Sequence, residues 1–115
     1  MNVIHQSEAN VFPNSAECIA LEYPFGDPDI NAVVIKLSGR YPETGFALNE
    51  KCKEMAYVIE GEGTFVTEKE TVTLMAGDTV FIPAGEKYYW EGTMSMFVPC
   101  TPAWNPEQHK IVENA

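Results

Sequence analysis

Basic residues are scarce in this 115-residue chain. Seven lysines and arginines stand against seventeen aspartates and glutamates, giving a formal charge of −10 and a pI near 4.4. A surface of that sign repels nucleic-acid backbones and anionic membranes, so neither is an expected partner. Histidine is scarcer still, with only His5 and His109. The three cysteines, Cys18, Cys52 and Cys100, are odd in number and far apart, with no C-x-x-C pair. Zinc-finger and thioredoxin-like readings therefore have no support. No apolar run approaches the ~18 residues of a spanning helix. The first residues, Met1 to Glu8, show neither the basic nor the apolar segment of a secretory signal, and a reducing cytoplasm is the expected compartment.

Helix signals are few as well; what is there instead is turns and short β-runs. Gly77-Asp78 is a tight-turn signal, because glycine tolerates positive φ and aspartate bonds its own backbone. Thr79 to Ile82 is a β-branched and aromatic run that Pro83 ends by removing a ladder donor. Gly85 permits the next reversal, and Tyr88 to Trp90 opens an aromatic strand. Further strands read from Cys18 to Tyr23, Asn31 to Leu37, Phe46 to Leu48, Glu54 to Glu60, Thr64 to Thr67, Thr71 to Met75 and Met94 to Val98. Gly61-Glu62-Gly63 reads as a hairpin turn and Glu68-Lys69-Glu70 as the next one. Pro13-Asn14 starts a turn after Val11-Phe12, and Pro106 to Ala115 reads as a short helix or an ordered tail. Many short, close-spaced strands in one 45% hydrophobic chain predict an all-β sandwich or barrel in a single domain, 1–115.

Two stretches resemble the paired motifs of the cupin superfamily. The first motif is roughly G-x5-H-x-H-x3/4-E-x6-G, and Glu54, six residues, then Gly61 match its end. The second is roughly G-x5-P-x-G-x2-H-x3-N, and Gly77, Pro83 and Gly85 match at the right spacing. The resemblance covers about residues 33 to 101 and implies a double-stranded β-helix, the jelly-roll barrel, with its core at about 31–101. The second-motif histidine position is Tyr88 and its asparagine position is Gly92. The first-motif histidine positions fall on Ala47 and Asn49, or on Leu48 and Glu50. Of the family's usual three histidines and one glutamate, only Glu54 is present, so neither a metal nor another cofactor is expected.

By resemblance, Glu54 and Tyr88 point into the barrel. A carboxylate in a poorly solvated aromatic cavity has a raised pKa, and a nearby phenol can hold it or share its proton. These two are the candidate catalytic pair, Glu54 as base and Tyr88 as acid or clamp. Alternation puts Trp90 on the face of Tyr88 and Tyr89 on the other, which adds a stacking wall suited to a sugar ring or planar ligand. Asn49, Glu50 and Cys52 precede the carboxylate and join Trp90 as candidate substrate-binding residues. Lys51 and Lys53 flank Cys52, and positive neighbours lower a thiol pKa; the plainer reading is a solvated polar loop with an incidental cysteine. Trp104 is expected to cap the barrel or a dimer seam.

The leading expectation is a metal-independent protein that binds a small polar molecule, a sugar or an organic acid; if it is an enzyme, the expected chemistry is acid/base isomerisation or epimerisation. A binding or regulatory module without chemistry is the alternative. A metalloenzyme using Asn49, Cys52 and Glu54, with His5 folding in, is a third. Met55, Tyr57 and Ile59 alternate with Glu54, Ala56 and Val58, so one strand is apolar on both faces and needs cover on both. That pattern predicts a homodimer.

Overall fold

In the computed structural model, which describes residues 1–113, nine strands follow one another. They are β1 (Asn10–Ser15), β2 (Cys18–Glu22), β3 (Asn31–Tyr41), β4 (Phe46–Asn49), β5 (Lys53–Thr67), β6 (Thr71–Met75), β7 (Thr79–Ile82), β8 (Tyr88–Thr101) and β9 (His109–Val112). All pairings are antiparallel. β8 is the spine: β3 lies along one edge of it and β5 along the other, and β5 in turn carries β6 and β7. β1 and β2 extend the β3 side, and β4 with β9 joins at Tyr88. The curled sheet closes on its own inner face as a jelly roll, the fold class that the strand spacing implies.

Two of the predicted breaks are absent. Gly61-Glu62-Gly63 is no hairpin turn, because β5 runs unbroken for fifteen residues. β8 likewise runs from Tyr88 through Gly92 to Thr101. The glycines serve a bend instead. Gly61 has φ +85, and a register shift lies between Val58 and Glu60. Gly63 and Gly92 face each other, and a Cβ on Gly92 would lie 2.5 Å from the Gly63 Cα. A strand pair bent this sharply curls from one layer into the other, and only glycine fits at the crossing. The turn at Gly77-Asp78 forms as its residues dictate: the Asp78 carboxylate accepts the Met75 amide at 2.8 Å, and Gly77 sits at φ +94. Pro13 does not begin a turn; it lies inside β1, an edge strand where a missing donor is tolerated.

The inner face buries Leu37, Ala56, Val58, Phe65, Leu74, Ile82, Met94, Met96 and Val98 in one cluster with Tyr88 and Trp90. The outer face of the same strands is also apolar but open. Met55, Tyr57, Ile59, Phe81 and Phe97 are each about half exposed, with Met55 opposite Phe81 and Tyr57 opposite Phe97. Pro106 to Val112 is an ordered tail that holds a single 3-10 turn and a short strand. A 3-10 turn, Pro106–Gln108, capped by the Asn105 side chain, feeds β9 onto β4, while Asn114 and Ala115 lie outside the described residues. Among the described residues, no helix is long and apolar enough to cross a membrane.

Candidate functional site

One cavity of about 70 Å³ opens in the barrel, and Tyr41, Glu54, Tyr88, Trp90, Trp104 and His109 supply its polar and aromatic wall. Glu54 reaches it from the start of β5, where the strand pairs with Ile82 on one side and Cys100 on the other. Removal from water pushes its carboxyl from the ordinary 4.5 up to about 7, against a smaller opposing effect from the Asn49 amide that donates to it. Tyr88 is buried against Phe65, with ring centroids 5.4 Å apart, and meets Trp90 edge-on. Burial, then the neighbouring Glu54, holds its phenol well above the usual range. At neutral pH Tyr88 therefore keeps its proton and can donate a hydrogen bond.

Asn49 is the junction of the site, although it does not line the cavity. Its Oδ1 accepts from Trp104 Nε1 at 3.1 Å, from Gln108 Nε2 at 3.0 Å and from His109 Nδ1 at 2.8 Å; its Nδ2 donates to Glu54 Oε1 at 2.9 Å. An indole N–H can only donate, so Asn49 presents its oxygen on this side, and His109 must carry its proton on Nδ1. His109 Nε2 is then a bare acceptor, and the Tyr41 hydroxyl donates to it at 2.9 Å. Burial lowers the His109 pKa and raises that of Tyr41 to about 12, through desolvation first and nearby Cys18 and Glu54 second. The site thus holds a neutral imidazole of fixed tautomer and a carboxyl that titrates near neutrality.

The sequence-derived candidates fall in different places. Glu54, Tyr88 and Trp90 line the cavity together, and Tyr89 lies on the other face with the Arg40 guanidinium 3.8 Å above its ring. Glu50 is exposed and outside the wall; only its backbone is engaged, donating to the Gln108 carbonyl. Cys52 does not sit on a solvated loop, because it is 1% exposed and its amide is bonded to Gln108 Oε1. Lys51 and Lys53 are exposed, so they do not activate it; a hydrogen bond to Cys100 and burial push the Cys52 thiol up, and the same hydrogen bond holds Cys100 down. His5 stays exposed beside the N-terminal 3-10 turn and does not fold in.

Four site residues escaped the sequence reading: Tyr41, Gln108 and His109 altogether, and Trp104 as more than a cap. The tail that carries three of them is stitched down by Asn31, which bonds both the amide and the carbonyl of Trp104, and by Gln108, which bridges Asn49 to the Lys51 and Cys52 amides. The available signal was a four-residue run, His109-Lys110-Ile111-Val112, behind an Asn-Pro cap.

A family model for the cupin domain matches residues 38–98, more than half of the chain. The chain belongs to the cupin family. No curated protein matches it significantly in sequence. Among solved structures, this cupin is similar to Pac13, described as a unique nucleoside dehydratase, at 22% identity and a TM-score of 0.88 over 98% of this chain and 92% of that one. A Streptomyces Pac13 variant with uridine matches equally well, at 22% identity, TM-score 0.88, and 98% and 91% coverage. The polyketide cyclase RemF from Streptomyces resistomycificus follows at 21% identity and TM-score 0.73, covering 97% of this chain and 85% of that one. KdgF from Halomonas sp. matches at 17% identity and TM-score 0.71, with 93% and 97% coverage. The family's usual donor set of three histidines and a glutamate does not fit this cavity. Tyr88 occupies one histidine position, and Ala47 and Asn49, or Leu48 and Glu50, occupy the others.

Proposed function

We propose that this cupin binds a small hydroxylated molecule in its barrel, of the sugar, nucleoside or organic-acid type, and moves protons on it. One observation carries the reading: Glu54 and His109, an acid and a base whose environments push both toward the neutral form, face one cavity and hang from one asparagine. His109 Nε2 accepts a substrate proton through the Tyr41 hydroxyl that already bonds it. Protonated Glu54 gives its proton to a departing hydroxyl in a dehydration, or to the opposite face in an isomerisation or epimerisation. Tyr88 clamps by hydrogen bonding, and Trp90 and Trp104 stack a ring. Likeness to a nucleoside dehydratase supports the elimination branch at the level of fold.

The test is NMR of the reduced protein in D2O with uridine, hexoses, uronic acids and their aldehydes. A compound exchanged or dehydrated by the native chain should lose at least ~100-fold in kcat/KM in both Glu54→Gln and His109→Gln. Turnover unaffected by either change would refute the assigned roles. Saturable binding with neither exchange nor turnover across the panel would support the non-catalytic alternative instead. We further propose that the half-exposed row of Met55, Tyr57, Ile59, Phe81 and Phe97 is covered by a second copy, since it is continuous across three strands.

A further inference from the structure

The proton-transfer reading leaves two buried thiols unused. Cys52 and Cys100 are 1% and 4% exposed, and Glu54 lies directly across from Cys100 in the β5–β8 register. Cys52 precedes Glu54 by two residues and lies on the same face. The two Sγ atoms and a Glu54 carboxylate oxygen all fall within 4.8 Å of one another. Among the described residues, it is the cluster whose donors converge in this way. From this convergence we infer that Cys52, Cys100 and Glu54 form a binding site for a thiophilic divalent cation of the zinc class.

Geometry, chemistry and surroundings all favour that occupant. Ligands about 2.3 Å from a tetrahedral ion stand roughly 3.8 Å apart, so rotamer adjustments of a few tenths of an ångström to one ångström close the cluster. Two sulfurs with one carboxylate select a zinc-like ion over magnesium or calcium, which demand all-oxygen shells. The outer contacts of a built site are present. Asn49 Nδ2 orients Glu54 at 2.9 Å and Gln108 holds the Cys52 amide, while the bond that the Cys100 thiol donates to Asn31 Oδ1 is given up when the thiol loses its proton. Glu54 and Cys100 line both the inner cavity and an outer groove formed with Lys53, Met55, Phe81 and Pro99. Through Glu54 and Cys100, though not through the fully buried Cys52, the cluster can be reached from both sides. Lys53 is the one positive charge on the groove, and it is exposed. The −10 charge of the chain outweighs it as a field for cations. Binding releases the two thiol protons, plus the Glu54 proton where that group is protonated. Neither thiol occupies a position of the family's histidine donors. An ion held here would withdraw Glu54 from proton transfer, so the same site would serve as an off-switch.

The test reads metal rather than turnover, so it stands or falls apart from the proton-transfer reading. Co2+, then Zn2+, is titrated into the full-length chain kept reduced with a phosphine. The expected result is one Co2+ per chain with a thiolate-to-cobalt charge-transfer band in the near ultraviolet, displaced by one Zn2+. Cys52→Ser and Cys100→Ser should each abolish the two-thiolate band, and Cys18→Ser should keep it. Should a serine variant not fold, X-ray absorption of the zinc-loaded native chain decides the matter. Two sulfurs at about 2.3 Å support the site, and a shell of oxygen and nitrogen alone overturns it. Absence of the band at excess Co2+, or its survival in the Cys52→Ser/Cys100→Ser double variant, overturns it equally.

Discussion

Glu54 and His109 reach the same cavity by different means. Glu54 rises from β5, which is paired on both edges at that point, to β7 and to β8. His109 begins β9, a four-residue strand whose ladder runs to β4 alone. Both lose water and both are driven to the neutral form, the carboxyl upward and the imidazole downward. The contrast separates a scaffolded end of the site from a strapped one. The carboxyl stays wherever the barrel stays, whereas the imidazole depends on Asn49, Asn31 and Gln108 holding the tail.

The sharpest way to break the comparison is to remove what joins the two ends. Asn49→Leu leaves the indole N–H of Trp104, the amide of Gln108 and the Nδ1–H of His109 without their acceptor. It should cost about 4 kcal/mol in a urea titration, because unpaired buried donors keep their full desolvation penalty. A loss below about 1 kcal/mol would mean that the tail is held by other contacts.

The scaffolded end is probed by Glu54→Gln, which keeps an acceptor for Asn49 and removes the charge. A carboxyl raised in the folded state contributes stability that is fully present below about pH 4.5 and is lost as pH rises through about 7. The variant should therefore be more stable than the native chain at pH 8 by about 3 kcal/mol, and near parity at pH 4. The strapped end carries the opposite sign. A histidine lowered in the folded state contributes stability present above pH 6.5 and lost as pH falls through its folded value. His109→Gln should flatten the acid limb of the native stability curve and leave its alkaline limb alone; a flattened alkaline limb would contradict the assignment.

The smallest expected effect lies on the outer face of the same strands. Tyr57→Lys places a charge in the exposed apolar row without touching the core, so thermal stability of the isolated chain should shift little. Light scattering at micromolar concentration should nevertheless fall from the mass of two chains to that of one. A native chain that is already monomeric there would remove the proposed interface.

The asymmetry between the two ends also explains what the sequence disclosed. Glycines and a proline at fixed spacing bracket the strands that carry Glu54, Tyr88 and Trp90, so the family resemblance those residues carry, with alternation adding Trp90 to the face of Tyr88, points to that half of the wall. The same glycines mislead at Gly61 and Gly92, where they bend continuous strands, because a bend and a turn both call for positive φ. His109 was not legible in this way. It comes next to Asn49 through a pairing sixty residues away in the chain, made by a strand too short to show a period. Cys52 misleads for a related reason: its lysine neighbours are visible in the sequence, but the buried Cys100 and Gln108 that govern it arrive from β8 and the tail.

The central claim is that the cavity holds a carboxyl poised near neutrality. Selective ¹³C labelling of glutamate, with a pH titration followed at the Glu54 side-chain carbon and assigned through Glu54→Gln, measures it directly. The account predicts a midpoint at about 7, well separated from the exposed glutamates. A midpoint at the ordinary 4.5 would contradict it, because the carboxyl would then be fully ionised at neutral pH and have no proton to give.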